Sequence, residues 1–293
     1  MIPPRGGVVG DVMLDVVVRP DEPIAPTSDT PSSVRIGRGG SGANIAVELS
    51  LDGLDVTYLG AAGDDAAGRL FVEDLERAGV KATLQLVDAS TGVVVAIIAE
   101  SGQRSMMTDR GANRLLTPEH LQRHLDGSYD HLHVSGYCLL DDATRVGAVA
   151  ALRSARERGR STSIDVCSVG PLRRVTSDVF MNAARGATML FANEEEATTL
   201  SGVGNVDDAI GELGLVFSEV MVTRGADGAL TRLNGSTTHA PSLSRDVLDT
   251  TGAGDAATGA YLAARLKGHD VGVALRAAME ASAAVVKGLG SRG

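Results

Sequence analysis

The chain has 293 residues, 43% of them hydrophobic and 22% charged, with a formal net charge of −10; that length buries a core large enough to need no disulfide staples, and so acidic a balance is a poor sheath for nucleic acid, whose phosphates demand clustered Lys and Arg. The longest uncharged apolar run, Val93–Ala99, falls far short of the roughly 20 residues of a membrane-spanning helix. Met1–Arg5 has no apolar core of a secretory signal, and the two cysteines, Cys138 and Cys167, form no CxxC pair, so the sequence predicts a cytoplasmic protein with neither membrane nor nucleic acid as partner.

In chain order, short apolar runs bounded by turn residues alternate with stretches of helical period. A strand at Val8–Val9 is followed by a helix over Asn44–Leu51, a strand at Val56–Leu59 and a helix over Ala66–Ala78. In that helix Leu70, Phe71, Leu75 and Ala78 share a face, and Gly79 is placed to end it. Next come a helix over Pro118–Leu125, a strand at His131–Val134, a helix over Asp142–Arg158, and strands at Ser163–Asp165 and Met189–Ala192. A helix over Val206–Leu213 and a strand at Val220–Thr223 precede two Ala-rich helices, Gly254–Leu266 and Val271–Val286. Strands alternating with helices predict βαβ units, a mostly parallel sheet and an α/β fold.

Two regions break the alternation. Val12–Gly37 has no helical period, and Ala82–Thr108 holds extended runs at Thr83–Val87, Thr91–Ala99 and Ser105–Thr108 with no helix between them. Sequential strands of this kind pair antiparallel, so both regions read as one small β-layer appended to the main sheet, the alternative being edge strands of that sheet. No linker separates domains: residues 1–293 read as a single unit with lid segments at about 12–37 and 82–108.

Four glycine-rich turns carry the chemistry: Gly37–Asn44, Asp109–Asn113, Thr223–Gly228 and Asp249–Asp255. Turns of this kind before helices expose N–H groups that bind anions. Gly37, Gly39 and Gly42 fit G-x-G-x-x-G, but the dinucleotide fingerprint also needs a preceding strand and a later acid. A P-loop is excluded, because none of the three lysines, Lys81, Lys267 and Lys287, follows a glycine. The last turn opens an apolar helix whose first amides have no partner within it, and whose dipole adds positive charge. Asp255 stands in the same turn, where a carboxylate accepts a proton from an incoming hydroxyl. A cradle for an anion beside a base is what phosphoryl transfer requires.

Taken in order, the turns resemble the ribokinase-like, PfkB-type carbohydrate kinases. Asp249-Thr-Thr-Gly-Ala-Gly-Asp-Ala256 is similar to that family's C-terminal motif and Gly39-Gly-Ser-Gly-Ala-Asn44 to its N-terminal motif. Asn193-Glu-Glu-Glu196 resembles its N-x-x-E motif, and Thr223–Gly228 its nucleotide loop. The resemblance spans essentially the whole chain. It implies a three-layer sandwich with a mostly parallel central sheet and a small β-sheet lid, and an ATP-dependent kinase acting on a primary hydroxyl of a sugar or sugar-like molecule. By position, Asp255 is the general base, and the amides of Gly252, Ala253 and Gly254 form the anion hole. Asn193 and Glu196 organise Mg²⁺ and the phosphates, the metal through water; Thr223, Gly225 and Gly228 contact ATP; Asp15, Gly40 and Asn44 hold the substrate, with Arg110 nearby. Asp249 and Thr251, with the tail around Gly288–Ser291, match a monovalent-cation (K⁺) site of some members. The lid implies a homodimer, as in several relatives.

The substrate half departs from ribokinases. Met13 stands where they carry Asn, Ser41 where they carry Lys, and no Glu follows the strand at His131–Val134 near Tyr137 and Cys138. These changes weigh against ribose, and Gly10–Asp15 also resembles the opening of heptose kinase domains. A nucleoside kinase of the same fold shares every phosphate-handling residue but needs an apolar pocket, and the chain has only four Phe, four Tyr and no Trp. A non-catalytic ligand-binding relative is the third reading, although neither the base nor the glycines are lost. Outside these motifs, Asn193–Glu196 also reads as a helix cap with an acidic first turn, Asn44 as a helix N-cap residue, and His120, His124, His131 and His133 as surface histidines rather than metal ligands.

Overall fold

The computed structural model describes residues 3–99, 104–125, 127–243 and 252–286. The chain begins with β1 (Arg5–Val9), β2 (Met13–Pro20), β3 (Ser32–Gly39), α1 (Ser41–Leu51), β4 (Asp55–Gly63), α2 (Ala66–Arg77), β5 (Lys81–Val87), β6 (Gly92–Ile98) and β7 (Arg104–Asp109). It continues through α3 (Pro118–His124), β8 (His131–Val134), α4 (Gly136–Leu140), α5 (Asp142–Glu157), β9 (Ser161–Asp165), α6 (Val169–Val175), α7 (Ser177–Ala183), β10 (Met189–Asn193), α8 (Glu194–Ser201), α9 (Val206–Leu213) and β11 (Glu219–Thr223). β12 (Ala229–Leu233), β13 (Ser236–Ala240), α10 (Ala253–Leu266) and α11 (Val271–Val285) complete the described elements.

The main sheet has nine strands in the order β13-β12-β11-β10-β9-β8-β1-β4-β5. All pairings from β11 to β5 are parallel, and β12 and β13 add an antiparallel edge. β10 and β11 carry the apolar runs Met189–Ala192 and Val220–Val222, as strands covered on both faces do. Successive residues point to opposite faces. Val8 and Tyr58 thus pack with Ile45, Phe71, Tyr261 and Leu275 of α1, α2, α10 and α11. Val9 and Leu59 pack on the other side with Leu121, Leu152, Phe180 and Ile210 of α3, α5, α7 and α9.

A second sheet, β3-β2-β6-β7, forms the lid. The expectation for the lid segments needs one correction. The run Thr83–Val87 is not part of the lid: it lies in β5, which pairs in parallel with β4 at the edge of the main sheet. The reason is α2, which crosses between β4 and β5 and so makes them a βαβ unit. Within the lid, β2 and β6 are parallel, and only β2–β3 and β6–β7 are antiparallel.

Helix α10 is fixed at both ends of its buried face. Arg265 donates through Nε and Nη2 to the buried Glu219 of β11 at 2.8 and 3.1 Å, and Tyr261 donates to the same carboxylate. Nearer its start, a Cβ on Gly259 would come within 2.6 Å of the Glu48 Cβ, so glycine there is what lets α10 lie close against α1. That approach sets the geometry described next.

Candidate active site

The parallel strands β1, β8, β9, β10 and β11 all end on one side of the sheet, and that side carries Asp11, Ser135, Asp165, Asn193 and Thr223 at or just beyond their last residues. The chain adds β4 and β5 on one side of β1 and later returns to add β8 on the other, and such a switch point opens a crevice at the carboxyl ends of the strands. Here it is a cleft of about 990 Å³, with Met13, Asp15, Val94, Met106 and Thr108 of the lid on one wall and Asp165, Asn193, Glu196, Gly254 and Asp255 on the other.

Asp255 lies in the first turn of α10. Its Oδ2 accepts a hydrogen bond from the Asn44 Nδ2 at 2.8 Å, and its Oδ1 lies 2.7 Å from the Ser41 hydroxyl. The Asn44 Oδ1 in turn accepts from Arg38 at 2.8 Å. Burial raises the Asp255 carboxyl to about 6, against the lowering effect of the Asn44 and Ser41 bonds and with the charge of Asp165 adding to the rise. The group is therefore ionised just above pH 6, with proton affinity well beyond that of a solvated carboxylate.

Gly252 caps α10 at φ 75°, a left-handed conformation that strains any residue with a Cβ, and as a glycine it offers no side chain to the helix's first amides. A Cβ on Gly254 would meet nothing within 4 Å, so the backbone here faces open space. A second cavity, of about 460 Å³, runs from this point past Thr223, Gly225, Gly228 and Ala253 to Met279 and Val286. Both cavities share Asn193, Thr223 and Gly254. Two molecules bound in them would meet at the start of α10, beside Asp255.

Asn193 and Glu196 form a capping box on α8: the Asn193 Oδ1 accepts from the Glu196 amide at 2.8 Å and the Glu196 Oε2 accepts from the Asn193 amide at 2.9 Å. The helix-cap reading thus holds together with the placement of both residues on the cleft wall. Burial raises the Glu196 carboxyl to about 7, opposed by the Asn193 amide and reinforced by Asp165 and Asp255.

On the lid side, Asp15 faces the cleft, and burial raises it to about 6 against the opposing charge of Arg38. A Cβ on Gly39 would come within 1.9 Å of the Asp15 Oδ1, so the glycine makes room for that carboxylate. Gly40 stands at φ 100°, where a Cβ would also come within 2.4 Å of the Asp11 carbonyl. Helix α1 starts at Ser41 with Gly40 as its cap; Asn44 is therefore inside the helix, and its expected reading as an N-cap residue is corrected. Arg110 lines the cleft, but its guanidinium is engaged by two acids: Nε and Nη2 donate to Asp11 at 2.9 and 2.6 Å, and Nη1 lies 2.6 Å from Asp141. Asp141 also caps α5 through the Ala143 amide.

Residues 7–293 match the pfkB family carbohydrate kinase description. The chain belongs to this family. It is 33% identical over 275 residues to an ATP-dependent ribose-1-phosphate kinase of Halopiger xanaduensis, covering 91% of this chain and 86% of that one. Among solved structures, a probable sugar kinase protein from Rhizobium etli superposes with a TM-score of 0.90 at 22% identity, over 100% of this chain and 96% of that one. A putative ribokinase II from E. coli in complex with ATP and Mg²⁺ superposes with a TM-score of 0.88 at 21% identity, over 99% and 94% of the two chains. The pfkB-family chain is a phosphotransferase with an alcohol group as acceptor.

In this kinase the geometry brings together Asp255, Gly252, Ala253, Gly254, Asp15, Gly40, Asn44, Arg110, Asn193, Glu196, Thr223, Gly225 and Gly228 around the two joined cavities. Ala253, Arg224, Gly225, Ala226 and Gly228 border only the second cavity. Asp249 and Thr251, and the tail at Gly288–Ser291, lie outside the described residues. Among the described residues no group of three or more His, Cys, Asp or Glu is placed to hold a metal. No helix among them is long and apolar enough to cross a membrane.

The sequence reading missed Ser41 and Asp165 as site residues. The Ser41 Oγ bridges Asp255 and Asp165, the latter at 2.8 Å. Asp165 ends β9, and its position at a strand's carboxyl end in a parallel sheet was the available signal. Burial would raise Asp165, but the neighbouring His133 imidazole at 3.6 Å, the Cys167 thiol at 3.0 Å and the Gly136 amide at 2.9 Å outweigh it and hold the carboxylate at about 2. The surface reading holds for the exposed His124 and is corrected for the other three histidines. His131 and His133 are buried and join Ser161 and Ser163 in a ladder of 2.8 Å contacts across the paired strands β8 and β9. His120 is buried under β5, with Nε2 3.3 Å from the Thr83 carbonyl and its ring against that of His124.

Proposed function

We propose that this kinase transfers the γ-phosphoryl group of ATP, carried with Mg²⁺, to a primary hydroxyl of a sugar or sugar-like acceptor, with Asp255 as general base and the amides of Gly252, Ala253 and Gly254 as anion hole. The observation that carries this reading is the meeting of the two cavities at the glycine-capped start of α10, with Asp255 held there by Asn44. The nucleotide occupies the cavity beyond Thr223 and Gly225, and the acceptor occupies the cleft under the lid, where Asp15 presents a carboxylate to its hydroxyls. The acceptor's O–H bond breaks as its proton bonds to Asp255. The oxygen's electron pair forms the new P–O bond, and the pair of the bond to the bridging oxygen leaves with ADP. Backbone amides aimed at the phosphoryl oxygens lower the cost of the charge that spreads over them.

Glu196 and Asn193 fit a magnesium ion held mainly by phosphates and water: a buried carboxylate with raised proton affinity gains from a nearby cation, and one Glu196 oxygen is left uncommitted by the capping box. Bound there, Mg²⁺ neutralises phosphate charge. The monovalent-cation role of Asp249 and Thr251 rests on the resemblance of their motif.

The lid's outer face supports the homodimer reading. Strand pairing places Val16, Val18, Val34, Ile36, Val95, Ile97 and Met107 together on the face opposite Asp15, and Val34, Ile36 and Met107 are exposed. A second copy covering this face would remove that apolar surface from water.

ADP release with ribose 1-phosphate, ribose, fructose and adenosine as acceptors tests the proposal. At least one sugar or sugar phosphate is expected to raise release about tenfold or more over ATP alone and over adenosine. Release stimulated by adenosine alone would assign a nucleoside kinase, and ATP binding without turnover on any acceptor would assign a ligand-binding relative.

A further inference from the structure

The Ser41 hydroxyl has one proton and two carboxylate neighbours. Its oxygen lies 2.7 Å from the Asp255 Oδ1 and 2.8 Å from the Asp165 Oδ2. When both acids are ionised, Ser41 satisfies one, and its lone pairs face the other at hydrogen-bond distance. When Asp255 carries a proton it becomes a poor acceptor, and the hydroxyl is free to serve Asp165. The two contacts are thus alternatives, selected by the state of Asp255.

The two acids differ in their other partners. Asp165 already accepts from the Gly136 amide on Oδ1 and from the Cys167 thiol on Oδ2. Among the described residues, Asp255 accepts from the Asn44 amide besides Ser41. The ionised Asp255 therefore has the greater need of the Ser41 proton, and Asp165 can release it at smaller cost. We propose that Ser41 is a two-position hydroxyl switch that couples the protonation of Asp255 to the charge of Asp165, making Asp165 a positioning residue for the base. The inference rests on Asp255 acting as that base.

In the ground state Ser41 donates to Asp255 and keeps it ionised. As the acceptor's proton arrives on Asp255, the Ser41 O–H turns to Asp165, whose charge favours the newly protonated neighbour. No proton passes beyond Asp255; the switch changes which acid is hydrogen-bonded. The other ionisable groups around Asp255 are His133 on β8, Tyr137 on α4, Glu196 on α8 and Arg38 on β3. All four are unchanged in the variants below, so a difference between variants reports on Ser41 and Asp165.

The arrangement predicts opposite effects for the two side chains. Removing the Asp165 charge leaves the Ser41 proton to Asp255 alone and takes away a repulsion, so Asp255 ionises more easily. Removing the Ser41 hydroxyl takes a donor from ionised Asp255, so it ionises less easily. The full chain, labelled with ¹³C at aspartate carboxyls, is titrated by NMR; the Asp255 resonance is identified by its loss in Asp255→Asn. Its midpoint is expected to fall by about one pH unit in Asp165→Asn, to rise by about half a unit or more in Ser41→Ala, and to stay within about 0.3 unit of the parent in Ser41→Thr. Unchanged midpoints in Asp165→Asn and Ser41→Ala, or shifts in the same direction, overturn the switch. If the amide spectrum shows that Asp165→Asn does not fold, the contrast between Ser41→Ala and Ser41→Thr decides alone, and equal midpoints there overturn it. The titration needs no substrate. ADP release by Asp255→Asn reports separately on the base assignment: an active Asp255→Asn enzyme refutes the base, while an inactive one with unshifted titrations refutes only the switch.

Discussion

Replacing Asp255 by asparagine is expected to lower turnover at least about a hundredfold at pH 8, the range for a positioned general base. Asparagine keeps the shape and can still meet Asn44 and Ser41, so ATP affinity should change less than about threefold; the loss belongs to kcat. In the parent enzyme turnover should fall as the pH drops through about 6, where Asp255 takes up a proton, and the residual activity of the variant should lack that step. The same substitution should stabilise the fold. A carboxyl whose folded-state value is raised above its unfolded value contributes stability below the unfolded value, near 3.8, and loses that contribution as the pH rises through about 6. At pH 8 the parent therefore bears the cost of a buried charge, on the order of 2 kcal/mol, that the variant lacks. A higher melting temperature at pH 8, with no gain near pH 4, is the expected pattern. A variant with near-normal turnover would refute the role of Asp255.

Arg110→Met is expected to give the largest loss of stability. The Arg110, Asp11 and Asp141 side chains are only 16%, 8% and 16% exposed, and the Asp11 contact is bidentate. Removing one partner of a buried ion pair leaves uncompensated charge and costs about 3–5 kcal/mol, here with two carboxylates left behind. Methionine retains much of the apolar volume, so the loss reports on charge rather than on a cavity. The melting temperature should fall by about 10 °C at neutral pH. The three residues tie the end of the lid to the carboxyl end of β1 and the cap of α5, so acceptor KM should rise as well. If Arg110 served only as a substrate contact, KM would rise with the melting temperature unchanged.

The parts of the fold that were legible in the sequence have local causes. Met189–Ala192 read as a strand because burial on both faces makes its residues uniformly apolar. Ala66–Ala78 read as a helix because Leu70, Phe71, Leu75 and Ala78 recur at its period and Gly79 is placed to end it. Helices α6 and α7 were missed because each has seven residues, too few for a period to emerge, and Thr176 interrupts them at φ 81°. β5 was assigned to the lid although the helix preceding it carried the signal for a parallel crossover. The site divides in the same way. Asp255, Gly252 and Asn193 stand in contiguous motifs that a resemblance can match. Ser41 and Asp165 are brought together across 124 residues, and Ser41 and Asp255 across 214. Such meetings are set by strand order and by the close packing of α1 on α10, which no local pattern records. His131 and His133 looked polar and therefore exposed; the serines of the neighbouring strand supply partners that only the sheet register reveals.

The structure of this kinase crystallised with a non-hydrolysable ATP analogue and Mg²⁺ tests the account most directly. The terminal phosphate is expected within about 3 Å of backbone amides at Gly252–Asp255, with the base in the cavity bordered by Gly225, Met279 and Val286. A triphosphate bound away from the start of α10, leaving those amides without an anion, would contradict the account.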